Sequence, residues 1–334
     1  MATQKKVLLQ MKGIKKHYPI KKGILGRVRG YVKAVDGVTL DVHSGETLGI
    51  VGESGCGKTT LAKGIVRLYR PTEGEMLLTM PDDKVKNLLA LSKEESFSTR
   101  RRIQMVFQNP YASFNPMKSI YTSFEEPMSV HKIAKGKAEC REKIAQALQT
   151  VNLQPDYMYR YPHEFSGGQR QRICIARALA LEPELIVCDE PVSSLDVSIQ
   201  AQILNLMRRL QRERRLTYVF IAHDLSTVQY MSDRIAVMYL GKVVELANAE
   251  NIHRRQLHPY TQVLMSAVPV PSLEVRRERI MLTGDVPSPI NPPSGCHFHP
   301  RCQFCMDICK TREPQLKTVS GGADGHMVAC HLVK

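Results

Sequence analysis

Three stretches of this chain carry residue types spaced for phosphate chemistry. Gly52-Glu53-Ser54-Gly55-Cys56-Gly57-Lys58-Thr59-Thr60 fits the pattern G-x-x-x-x-G-K-[ST]. In such a loop the glycines let the backbone wrap phosphate groups, Lys58 meets the β- and γ-phosphate charge, and the Thr59 hydroxyl can hold Mg²⁺. Leu185-Ile186-Val187-Cys188-Asp189-Glu190-Pro191 is an apolar run ending in two acids. At a strand end beside a phosphate loop, Asp189 can hold Mg²⁺, usually through water, and Glu190 can polarise an attacking water as a general base. Ser166-Gly167-Gly168-Gln169 precedes a polar, basic helical run over 170–181 and puts backbone N–H groups at a helix start, where an anion can bind. One nucleotide with two phosphate-binding helix starts implies a sandwich between two subunits.

The elements that must position these residues follow from pattern. Over 7–78, β-branched alternation at 38–42 and 47–51 surrounds the glycine loop and a helix, so strands feed the loop. Residues 81–102 are polar and charged, a surface connection with a short helix around 92–102. Residues 108–180 read mainly as helices, with strong helix formers at 138–148. Short apolar strands at 185–187 and 218–222 flank a helix over 198–215, an alternation that implies parallel pairing in an α/β fold. After Asn251 the composition shifts to Pro, Gly, His and Cys, which marks a C-terminal appendage over 251–334 behind a domain over 1–250.

Composition narrows the function classes. A chain of 334 residues with 43% hydrophobic content can bury one large domain plus an appendage. No uninterrupted apolar run is long enough to span a bilayer, and residues 1–6 lack the apolar stretch of a signal peptide. The expected compartment is therefore the cytosol, where the nine cysteines are reduced thiols or metal ligands. The net charge of +15 is spread along the chain without any motif that reads RNA or DNA, so an anionic membrane face fits it better than nucleic acid.

The order of these motifs resembles the ATP-binding subunit of an ABC transporter. Three further signals fall in its sequence: Gln108 in Met105-Val106-Phe107-Gln108-Asn109-Pro110, His223 in Phe220-Ile221-Ala222-His223-Asp224, and Ser194-Leu195-Asp196 shortly after Glu190. The resemblance implies a P-loop NTPase (RecA-like) ABC nucleotide-binding domain, with an antiparallel β subdomain, a helical subdomain at about 109–180 and a small Cys-rich C-terminal extension. It implies that Gly52, Ser54, Gly55, Cys56, Gly57, Lys58, Thr59, Thr60 and Asp189 bind ATP, with Mg²⁺ on Thr59, Gln108 and Asp189. Glu190, His223 and Gln108 would be catalytic: Gln108 senses Mg²⁺ and His223 contacts the γ-phosphate. Ser166, Gly167, Gly168 and Gln169 would act on the partner's ATP, and Asp196 would belong to the loop that crosses the dimer interface. Phe165 stands where the family has leucine and should keep the packing role. Tyr18 resembles the aromatic that stacks on adenine, but an insertion over 21–31 separates it from the next strand and makes Tyr31 a competitor.

Phe107-Gln108-Asn109-Pro110-Tyr111-Ala112-Ser113-Phe114-Asn115-Pro116, His258-Pro259-Tyr260-Thr261 and Gly284-Asp285-Val286-Pro287-Ser288-Pro289 resemble a narrower group, the dipeptide and oligopeptide importer ATPases, and within it the F-type member. The implied partners are a D-type ATPase, two transmembrane permease subunits reached through 111–124, and, indirectly, an extracytoplasmic solute-binding protein. The implied place is the cytoplasmic face of the cell membrane. Relatives in that group also import nickel or other small solutes. A soluble ABC-type ATPase acting on nucleic acid and a non-hydrolytic module are the other classes; no second cassette or coiled-coil insertion supports the first, and Glu190 and His223 oppose the second.

Five of the nine cysteines fall between Cys296 and Cys330, with Cys302, Cys305 and Cys309 between them. Thiols this dense in a cytosolic chain favour a soft metal centre over disulfides. The family's appendage has a similar spacing and holds a [4Fe-4S] cluster in some members, which implies Cys296, Cys302, Cys309 and Cys330 as ligands with Cys305 spare. A Zn²⁺ site using His299 or His331, and unliganded thiols, are the alternatives. Cys56 and Cys188 read as packing residues.

Overall fold

A computed structural model describes residues 6–23, 27–268, 280–282, 284–319 and 325–333. The N-terminal residues through Lys5, and 24–26 of the expected insertion, lie outside the described residues. In chain order the elements are β1 (Val7–Lys22), β2 (Arg27–His43), β3 (Thr47–Val51), α1 (Lys58–Ile65), β4 (Glu73–Thr79), β5 (Val85–Asn87), α2 (Lys93–Arg102), β6 (Ile103–Val106), α3 (Ile120–Val130), α4 (Lys137–Thr150), α5 (Gly167–Leu179), β7 (Leu185–Asp189), α6 (Val197–Arg214), β8 (Thr217–Ile221), α7 (Leu225–Met231), β9 (Arg234–Tyr239), β10 (Lys242–Asn248), α8 (Ala249–Arg254), α9 (Pro259–Ser266), α10 (Asp307–Thr311), β11 (Lys317–Thr318) and β12 (Met327–Val328). They group into two compact units, Met1–Leu89 with Ile221–Lys334, and Ala90–Phe220.

The first unit contains an antiparallel sheet in the order β2-β1-β4-β5. Here the chain departs from the reading of 21–31 as an insertion. β1 and β2 stay paired far out along the hairpin, with Tyr18 opposite Val32, Pro19 opposite Tyr31 and Lys22 opposite Arg27. The outer part of this ribbon is exposed on both faces, so its side chains carry no inward–outward alternation to betray a strand. The same unit holds a second set of strands. β3 pairs in parallel with β9, and β10, β12 and β11 continue from β9 in antiparallel fashion. All five residues of β3 are buried, as expected of a strand covered on both faces.

The second unit carries β8, β7 and β6 in that order, with β6 parallel to β7 and register Ile103 to Leu185. β7 and β8 are buried throughout. Three of its helices start at side chains that accept otherwise unpaired N–H groups: Ser92 caps α2 while Glu95 accepts from the Ser92 N–H in return, Ser119 caps α3, and Asp196 caps α6. Glu184, just before β7, receives Arg102 at 2.6 Å, while its own N–H donates to the Arg102 carbonyl at 2.9 Å, which fixes where β6 and β7 begin.

Candidate functional site

The phosphate loop of the first unit is built by close backbone approach. Gly57 has φ 106 and sits as the N-cap of α1; a Cβ there would lie 2.1 Å from the Ala34 carbonyl oxygen. Gly52 has φ 154, and its Cβ would meet the Met238 carbonyl oxygen at 2.1 Å. Only glycine fits either position. No side chain caps α1, so its first N–H groups face the loop as an anion cradle. Lys58 is buried and curls back over the loop, donating to the carbonyls of Gly52 at 2.6 Å and Glu53 at 2.9 Å. Those carbonyls stand in for the phosphate oxygens that the ammonium can take in their place. Ser54 and Gly55 are exposed at the tip, and Thr59 and Thr60 are half-buried on the first turn of α1. Cys56 is buried, and that burial pushes its thiol pKa up, so it is a packing residue rather than a thiolate.

Tyr18 lies on β1 at 38% exposure, edge-on to Tyr69 at 6.0 Å, with the Lys16 ammonium 5.0 Å above its ring. Tyr31, on the paired strand, is 49% exposed. Tyr18 alone of the two has a second ring and a cation beside it among the described contacts. His223 is exposed between β8 and α7. The following Asp224 fixes this turn by accepting from Ser226 N–H at 3.0 Å and Thr227 N–H at 3.2 Å.

In the second unit Gln108 and Glu190 meet: the Gln108 amide donates to a Glu190 carboxylate oxygen at 2.8 Å. Glu190 has φ 47, a left-handed backbone that a non-glycine residue adopts only under constraint. Asp189 ends β7 and is 3% exposed. Ser166 caps α5 reciprocally, accepting from Gln169 N–H at 3.3 Å while its own N–H donates to Gln169 Oε1 at 3.0 Å. That uses one of the donors expected to be available to an anion and leaves those of Gly167 and Gly168 at the helix start. A Cβ on Gly168 would lie 2.5 Å from Ile199 of α6, so α5 and α6 pack through that glycine. Phe165 is buried against Tyr157 at 5.5 Å, filling the packing place expected of it. Asp196 accepts from Ile199 N–H at 3.0 Å and from Ser198 Oγ at 2.7 Å; the Ile199 N–H above all holds its carboxyl pKa down. Within 109–116, Tyr111 lies under the Arg170 guanidinium at 3.4 Å, and the Ser113 carbonyl accepts from Arg177 at 2.6 Å, which ties the stretch after Gln108 to α5.

Among the described residues no group of three or more His, Cys, Asp or Glu side chains is arranged to hold a metal ion. Cys296 N–H donates to the Cys309 carbonyl at 2.8 Å, so these two are joined through backbone, and all five C-terminal cysteines are free thiols. Burial, with smaller repulsion from Cys309, Cys330 and Cys302, pushes the Cys296 thiol up to about 11. The four expected ligands sit on separate short segments, with Cys309 on α10 and Cys330 just after β12.

Three residues to which the sequence assigns no role, Glu53, Tyr260 and Arg301, complete the loop's surroundings. Glu53 donates its N–H to the Tyr260 hydroxyl at 2.8 Å, and its carboxylate accepts from Arg301 at 2.9 Å. Glu53 occupies a variable position of the loop pattern, and its partners lie more than two hundred residues later, so no local signal reports them.

An ABC transporter family model matches residues 35–193, and an oligopeptide/dipeptide transporter C-terminal region model matches 244–309. The oligopeptide transport ATP-binding protein AppF of Bacillus subtilis is 52% identical over 334 residues, covering 99% of both chains. The dipeptide transport ATP-binding protein DppF of Haemophilus influenzae is 48% identical over 323 residues, covering 97% of this chain and 96% of the relative. Among solved structures, the dimeric bacterial ABC transporter cassette MJ0796 superposes with TM-score 0.62 at 29% identity, covering 72% of this chain and 99% of that one. The fold is that of the P-loop ABC cassette, and this chain belongs to the ATP-binding proteins of the oligopeptide/dipeptide ABC transporter family.

Proposed function

We propose that this ATPase energises uptake of di- or oligopeptides through a membrane permease, by ATP-driven closure against a second, D-type ATPase subunit. The observation that carries this reading is the uncapped start of α1 behind Gly57, with Lys58 turned over the loop. The full-length likeness to proteins named for oligopeptide and dipeptide transport supports the solute class.

In this reading 1–250 is the cassette and 251–334 the extension. Gly52, Ser54, Gly55, Cys56, Gly57, Lys58, Thr59 and Thr60 cradle the phosphates, Tyr18 stacks on adenine, and Asp189 with Thr59 and Gln108 holds Mg²⁺. When bound, the ion neutralises β- and γ-phosphate charge. Glu190, oriented by Gln108, takes a proton from the attacking water, and His223 steadies the γ-phosphate. Ser166–Gln169 cover the partner's nucleotide and Asp196 lines the seam, so that closure completes the donors around the γ-phosphate and links hydrolysis to opening. Two permease subunits dock near 111–124, where Tyr111 and Met117 are 62% and 84% exposed, and a solute-binding protein delivers the peptide. The chain works at the cytoplasmic membrane face without spanning it; no described helix is long and apolar enough to cross a bilayer.

Reconstitution with its permease and partner in liposomes tests this. ATP-dependent accumulation of labelled peptide, lost in Lys58→Ala, is the expected result. Nickel transport without peptide transport, or activity stimulated only by nucleic acid, would replace the reading.

For the C-terminal region we propose a thiol-ligated centre on Cys296, Cys302, Cys309 and Cys330, either [4Fe-4S] or Zn²⁺. The spacing of these four cysteines between Cys296 and Cys330 supports it. Anaerobically purified protein should contain iron and acid-labile sulfide, or zinc; metal-free protein of full stability would remove the proposal.

A further inference from the structure

The C-terminal region meets the phosphate loop at Glu53, and all of that residue's polar groups are engaged. Glu53 gives its N–H to the Tyr260 hydroxyl at 2.8 Å, its carbonyl accepts from Lys58 at 2.9 Å, and its carboxylate takes Arg301 at 2.9 and 3.4 Å. The Arg301 side chain is 8% exposed and that of Glu53 27%, so the pair is shielded from solvent. Tyr260 is fully buried and locked by rings, 4.7 Å from Tyr239 and 5.4 Å from Phe298. A second tether runs beneath the loop: Gly241 N–H donates to the Cys56 carbonyl at 2.9 Å, and His297 Nδ1 lies 3.1 Å from the neighbouring Leu240 carbonyl.

A loop that binds a polyanion through its N–H groups is opposed by a carboxylate one residue inside it. Arg301 cancels that charge with a bidentate cation, whose geometry also fixes the side chain. Tyr260 meanwhile accepts the Glu53 N–H and so sets the peptide plane whose carbonyl holds Lys58. We propose that Arg301 and Tyr260 are positioning residues of the nucleotide site, acting through Glu53, so that phosphate affinity in the cassette depends on side chains of the C-terminal region. The inference rests on the reading of Gly52 to Thr60 as the ATP loop.

A double-mutant cycle on MgATP affinity of the full chain tests it. Arg301→Ala is expected to raise the Kd for MgATP about tenfold, the size of a strong pairwise coupling. The same change in a Glu53→Gln background should alter Kd less than about threefold, because no carboxylate is then left uncompensated. Arg301→Lys should restore most of the affinity. A merely structural arginine would instead cost the same in both backgrounds. Should Arg301→Ala fail to fold, Tyr260→Phe keeps the ring packing, removes only the acceptor for Glu53 N–H, and is expected to raise Kd about threefold. Wild-type Kd in Arg301→Ala and Tyr260→Phe, with binding lost in Lys58→Ala, overturns this inference alone. Binding indifferent to Lys58→Ala overturns the loop reading and the inference with it.

Discussion

Glu190 is held by two constraints, a left-handed backbone at φ 47 and the 2.8 Å bond from Gln108. The strain of roughly 1–3 kcal/mol is tolerated because it aims the carboxylate rather than letting it follow β7. Glu190→Gln keeps the side-chain shape and removes the base, so single-turnover hydrolysis should fall by about 10²-fold or more while MgATP affinity is retained. Unchanged turnover would assign the proton to another group. Gly57 makes a different demand. An alanine there meets the Ala34 carbonyl at 2.1 Å and a φ of 106, and the variant should lose several kcal/mol in urea titration, on the order of a strained, overpacked site.

At the scale of elements, α9 matters because it carries Tyr260 to the loop. Its N-cap is His258, whose Nδ1 accepts from Tyr260 N–H at 3.1 Å, so the ring caps only while neutral. Complete burial holds the His258 pKa down, from 6.5 to about 4. The unfolded chain therefore binds the proton more readily than the folded one. The resulting stability is fully present above pH 6.5 and is lost as pH falls toward 4. By pH 5 the loss should reach about 2 kcal/mol. Unfolding free energies from urea titration at pH 7 and pH 5 should differ by that much more in the wild type than in His258→Asn, which caps without titrating. Other elements are legible in the sequence itself. The helices at 93–102, 137–150 and 197–214 start and stop within a residue or two of the sequence reading, because caps and helix formers are local. The outer hairpin of β1 and β2 is not, since a two-faced exposed ribbon has no hydrophobic period.

At the scale of the whole molecule, this chain's own loop and its Ser166–Gln169 run serve two nucleotides in the proposed dimer. Ser166→Ala removes a cap and should cost about 1 kcal/mol of stability, too little to explain a large loss of turnover. Hydrolysis should nevertheless fall most at the partner's site. An assembly in which only the partner's loop is intact should be impaired by Ser166→Ala more than one in which only Lys58 is intact. Equal impairment of both would place the run in this chain's own site.

The phosphate loop, the Asp189-Glu190 strand end and the helix start at Ser166–Gln169 were readable from sequence because each is a contiguous run in which residue type and spacing set the local backbone. The α/β alternation was readable for the same reason. Tertiary structure alone decided that Glu53 is clamped by Tyr260 and Arg301, and that Gly168 is demanded by Ile199. Each of these depends on side chains distant along the chain, and such meetings are set by packing rather than by any local preference.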